Sequence, residues 1–159
     1  MIYKIAKFML AYETMNNEKL QKLCYYAYSW YLTLFNRRLF SKRFQAWAEG
    51  PVCPELYNKY KIYEGKLIPM VNKKLAEIIA EEDLRDFLEA VYFAHKNLTH
   101  DELKILSCSE EPWLNARRSM KENELEFTYI NDKDIISWHT KKIMQEMSKE
   151  NICLTFEIK

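Results

Sequence analysis

Between Leu20 and Leu34 the chain reads Leu-Gln-Lys-Leu-Cys-Tyr-Tyr-Ala-Tyr-Ser-Trp-Tyr-Leu-Thr-Leu. On a 3.6-residue period, Leu20, Leu23, Cys24, Ala27, Tyr31 and Leu34 form one face, and Tyr25, Tyr26, Tyr28, Trp30 and Leu32 occupy most of the rest. A helix that is apolar nearly all round must be covered on several sides, so this segment predicts a central helix with the other elements packed about it.

The flanking segments supply the cover. Ile2, Ile5, Ala6 and Met9 mark an amphipathic first helix over 2–12. In the break Thr14-Met15-Asn16-Asn17 an Asn side chain can accept from the free N–H groups that open the central helix, with Glu18 near its positive end. Pro54 suits the first turn of a helix through Tyr57, Tyr60 and Ile62, which Gly65 stops. Further helices are predicted from Asn72, along Leu84, Phe87, Leu88, Val91, His95 and Leu98, after the capping box Thr99-His100-Asp101-Glu102, from Pro112 along Trp113, Ala116, Arg117 and Met120, and from Asn131-Asp132 along Ile136, His139, Ile143 and Met147.

Two stretches depart from the helical period. Phe44, Ala46 and Ala48 alternate with Arg43, Gln45, Trp47 and Glu49, which predicts a strand ended by Gly50-Pro51 and paired as a hairpin with 38–40. Residues 152–158 alternate apolar and polar, which predicts a tail strand joining the 38–48 hairpin, or pairing with a second copy to make a homodimer. With only 2 glycines in 159 residues, a helix-rich fold follows more easily than a many-turned sandwich or barrel. The fold class is α+β, mostly α: one helical domain over 1–159 with a small antiparallel sheet.

The aromatic helix does not stand alone. The run Leu20-Gln21-Lys22-Leu23-Cys24-Tyr25 and the run Ala46-Trp47-Ala48-Glu49-Gly50-Pro51-Val52, with Pro54 and Leu56-Tyr57 after it, resemble together the Panacea antitoxin domain family of bacterial and phage toxin–antitoxin pairs. Pro112-Trp113 ahead of Ala116-Arg117 is a third, weaker match, although Ser107-Cys108 stand where the family carries Thr-His. The resemblance spans roughly residues 5–120. It implies an antitoxin that binds a cognate toxin protein, and some members of the family deliver the toxin to a protease as adaptors.

Binding of that kind needs aromatic and Arg anchors within a polar rim rather than a catalytic group. The candidate partner-binding residues are Lys22, Tyr25, Trp30, Trp47, Glu49, Gly50, Pro51, Val52, Trp113 and Arg117. Ordinary structural roles compete at each: Lys22, with Lys19, reads as a solvated charge on the helix's polar side, Trp113 as core, and Arg117 as its internal stacking partner.

Other chemistries find little purchase. The cluster Arg37, Arg38, Lys42 and Arg43 could meet a phosphate backbone, making a nucleic-acid-binding regulator the rival reading, but the net charge is +1 and no recognition helix is evident. Cys24, Cys53, Cys108 and Cys153 include no close pair for zinc or redox work, and His95, His100 and His139 form no metal pair by spacing. No Gly-x-Ser-x-Gly, His-Glu-x-x-His or glycine-rich phosphate loop is present, so the chain is expected to be no enzyme and to need no cofactor. It carries neither a secretory leader nor a run long enough to span a membrane, which predicts a cytoplasmic protein.

Overall fold

Asn16 sits in extended backbone and its side chain accepts from the N–H of Lys19 at 2.8 Å, which starts the central helix where the sequence places it. In the computed structural model, which describes residues 1–120 and 128–157 and side chains as far as Lys149, that helix is α2, Asn17–Phe35. The element order around it is α1 (Ile2–Leu10), α2, β1 (Gln45–Trp47), β2 (Gly50–Val52), α3 (Pro54–Tyr60), α4 (Leu75–Ile78), α5 (Glu82–His95), α6 (His100–Cys108), α7 (Glu111–Arg118) and α8 (Asp132–Glu157). α2 packs against α1, α3, α5, α6, α8 and β2. From Leu20 to Ser29 every residue of α2 is buried; beyond that the cover thins, and Leu34 and Phe35 are 55% and 51% exposed.

Local signals explain the other boundaries. Thr99 and Glu102 form the reciprocal capping box that opens α6, and prolines occupy the first turns of α3 and α7. The N-terminus of α8 is tied to α2 through Asp132, which accepts from the Tyr28 hydroxyl at 2.8 Å and pairs with Arg38 at 2.7 Å. A carboxylate in a first helical turn also offsets the positive helix end.

The sheet is antiparallel, as expected, but its hairpin is displaced along the chain. β1 pairs with β2 in the register Gln45↔Val52, Ala46↔Pro51, Trp47↔Gly50, so Gly50-Pro51 begins the second strand instead of ending the first. Residues 38–40 form no strand; Leu39 and Phe40 are buried, and Phe40 packs on Tyr28 and Phe44. The outer edge of β1 is closed by the segment before α8: the Ala46 N–H donates to Thr128 O at 2.8 Å and the Ile130 N–H to Phe44 O at 2.9 Å.

The expected tail strand is also corrected, because α8 continues through Glu157; Ile158 lies outside the described residues. A helix already started gains one hydrogen bond for each residue added, whereas a strand here would need an edge that Thr128–Ile130 already occupies. Among the described residues no helix is long and apolar enough to cross a membrane.

Candidate partner-binding site

The hairpin gathers most of the candidate residues because α7 holds its first strand and α2 its second. From α7, the indole Nε1 of Trp113 donates to Trp47 O at 2.9 Å and an Arg117 guanidinium N–H donates to Ala46 O at 3.1 Å. The Arg117 guanidinium lies 5.6 Å from the Trp113 ring, so the expected internal stack is present, and both side chains are half-buried. From α2, the buried Gln21 accepts from the Cys53 N–H at 2.9 Å, fixing the end of β2.

On this frame Ala46 faces the core and Trp47 is half-buried, packed 5.2 Å from Tyr57 with its Nε1 donating to Gln45 at 2.8 Å. Glu49 stands exposed in the turn and pairs with Lys104 of α6, which holds its carboxyl below the usual range. Gly50, Pro51 and Val52 are buried. Gly50 has φ +105°, a conformation that a side chain makes costly.

Beneath that turn lies Lys22, and here the structure overturns the solvated reading of the sequence. The residue is 1% exposed, while Lys19 pairs with Glu13 at 2.9 Å nearer the surface. A Cβ built on Gly50 would stand 2.7 Å from Lys22 Cε, 3.3 Å from its Nζ and 3.1 Å from Ser107 Oγ. Among the described residues no carboxylate lies within ion-pair distance of the ammonium and it donates no hydrogen bond. Burial pulls its pKa down to about 8, with Lys104 adding to the effect and Glu18 and Glu49 opposing it.

Two candidates stand apart from the hairpin. Tyr25 is fully buried, its ring edge-on to Tyr26 and Phe44, so it has no surface to offer. Trp30 is half-buried, its ring centroid 4.6 Å from that of His139 in an edge-to-face contact, between two depressions of about 450 and 390 Å³. One is walled by Ile143 and Met147 of α8, the other by Leu34 with Phe87, Ala90 and Ala94 of α5. Sequence reading missed these walls, and it missed Lys104, Ser107 and Cys108 around Lys22; helix periodicity places each on a helix but does not say which helices meet.

The rival groups are occupied within the chain. Arg37 donates to the Tyr31 hydroxyl, Arg38 pairs with Asp132, Lys42 with Glu55, and Arg43 lies 4.7 Å over the Tyr129 ring. His95 stacks on Tyr26 and His139 is buried, and each ring Nδ1 meets a carbonyl one turn back, Val91 O and Ile135 O. Cys24, Cys53 and Cys108 are free thiols; the Cys153 side chain lies outside the described residues. Among the described residues no three His, Cys, Asp or Glu side chains stand close enough together to hold a metal ion.

The family model described as "Antitoxin SocA-like, Panacea domain" matches residues 20–114, well over half of the chain, from the start of the buried run of α2 to the turn of α7 that carries Trp113. No curated protein and no solved structure matches. The aromatic central helix, the hairpin seated on it and the Pro-Trp turn that braces the hairpin all fall within that span, and the chain belongs to the SocA-like antitoxin, Panacea-domain family.

Proposed function

We propose that this chain neutralises its toxin by direct binding, with the β1–β2 hairpin and the helices bracing it as the docking face. The family supports an antitoxin role and, in general, a toxin partner. The observation that carries the finer reading is convergence: of the ten residues picked from sequence, only Tyr25 and Trp30 lie away from the hairpin. Trp47 and Glu49 provide its accessible surface; Trp113, Arg117 and Gln21 hold it rigid; Lys22 lies under its turn. A face ordered before binding loses little conformational entropy when a partner docks, which favours affinity.

In this reading the whole chain, 1–159, acts as one domain in the cytoplasm and performs no catalysis; it blocks the toxin by occupying it. The test is co-expression with the neighbouring open reading frame. That product is expected to arrest growth alone, to be tolerated together with this chain, and to co-purify with it at fixed stoichiometry. Rescue by a chain that does not associate with the toxin would overturn direct binding.

A further inference from the structure

We propose that Lys22 is an anchor for the toxin, pairing with an Asp or Glu side chain that the toxin inserts beside the Gly50 turn. This rests on the direct-binding reading and names the chemistry at the centre of the same face.

A buried ammonium is ordinarily retained in a fold only with a carboxylate or a set of acceptors around it. Lys22 has neither among the described residues. Its surroundings explain why nothing inside the chain serves: Glu49, the acidic group of the turn above, is committed to Lys104, and Glu18, one helical turn back on α2, is exposed and beyond ion-pair distance. Cys108 is half-buried with its thiol pKa raised, so it stays neutral and supplies no counter-charge at pH 7. Lys22 therefore holds a positive charge with no ion-pair partner among the described residues, and an incoming acid would match it.

Gly50 and Ser107 stand against the lysine under the turn: Gly50 has no side chain, and a Cβ built there would lie 2.7 Å from Lys22 Cε and 3.1 Å from Ser107 Oγ. Glu49, next to Gly50 in the turn, pairs with Lys104 at the surface, and Lys104 gives an acid arriving at the turn a second cation. Buried charge pairs at interfaces contribute through the loss that follows when one member is removed, a sensitivity that rim pairs lack.

The groups that face Lys22 also fix the expected pH response. With the Cys108 thiol neutral and the Glu49 carboxyl held below its usual range, the ammonium is the group that titrates near pH 8. A carboxylate that binds only the ammonium keeps its affinity below that pH and loses up to about tenfold per unit above it.

The test compares the wild-type chain with Lys22→Met against the neighbouring-frame protein, by calorimetry from pH 6.5 to 9.5, with a melt of each variant alone. Expected are a loss of about 30-fold or more in affinity for K22M at pH 7, a melting temperature no lower than wild type, and a flat pH profile in place of the falling one. A single toxin Asp→Asn or Glu→Gln change should weaken binding to the wild type and not to K22M. Equal binding by wild type and K22M overturns the anchor and leaves direct binding standing. A wild-type chain that binds no neighbouring-frame protein overturns both. If only amidation of the toxin's C-terminus reproduces the loss, the side-chain anchor is overturned in favour of a terminal carboxylate. Should K22M not fold, the readout is the NMR titration of Lys22 in the wild-type chain: its pKa rises by at least about one unit in the complex, and an unchanged value overturns the proposal.

Discussion

Trp113 of α7 holds the strand that carries Trp47, because its indole N–H donates to the Trp47 carbonyl while Arg117, one turn on, donates to the carbonyl before it. Two side chains of one helix thus satisfy consecutive backbone acceptors of β1, and the hairpin's position follows from that of α7.

Replacing Trp113 with Phe keeps most of the buried ring and removes the donor. The expected loss is about 1 kcal/mol, rising to about 1–3 kcal/mol for Arg117→Ala, which also removes the stack on Trp113. Because both act on one strand, the double variant should depart from additivity by roughly 0.5 kcal/mol or more, read from urea unfolding midpoints.

The two glycines should respond differently. At Gly50 an added methyl meets Lys22 at 2.7 Å in backbone with φ +105°; at Gly65, φ is +72° and the space is open. Gly50→Ala is expected to cost about 2 kcal/mol or more, and Gly65→Ala about 1 kcal/mol, the conformational part alone. Thermal melts of the two variants check the order.

Lys22 makes stability depend on alkaline pH. Its folded pKa of about 8 lies below the 10.5 of an unhindered lysine, so between those values the unfolded chain holds the proton and the folded one does not. Stability of the isolated protein should therefore rise across that window, by up to about 3 kcal/mol from this group. Lys22→Met should abolish the rise and be the more stable form at pH 7; denaturant titrations at pH 7 and pH 10 give the comparison.

His139 sets a dependence on the acid side. Burial lowers its pKa to about 4 from 6.5, with Lys142 and His95 adding to the effect and the Ile135 carbonyl opposing it. The stability from keeping this ring neutral is complete above pH 6.5 and is lost as pH falls toward 4, by up to about 3 kcal/mol. Glu110, on the loop entering α7, is 2% exposed with its pKa raised by burial, and it works in the opposite direction in the overlapping range. His139→Phe removes only the first effect, so the difference between the two pH profiles from 7 to 4 isolates it.

What the sequence disclosed follows from how local each signal is. The Asn16 cap, the Thr99–Glu102 box and the prolines opening α3 and α7 act within one helical turn, and each stands where it was expected. The hairpin partner was misplaced because Gly50-Pro51 is as good a strand end as it is a strand start, and the choice between them is made by Gln21 and α7. The tail failed for a related reason: its alternation carries no information about whether an edge remains to pair with. Lys22 sits on the polar side of its helix by every sequence measure, and only the arrival of Gly50 and α6 turns that side inward.

The closure of β1 by Thr128–Ile130 bears on how this molecule behaves in quantity. On the opposite strand Pro51 has no N–H to lend to a neighbour. A ribbon with one margin sealed and the other short of a donor is a poor template for strand stacking, so copies of the chain at high concentration would stay apart from one another through this sheet.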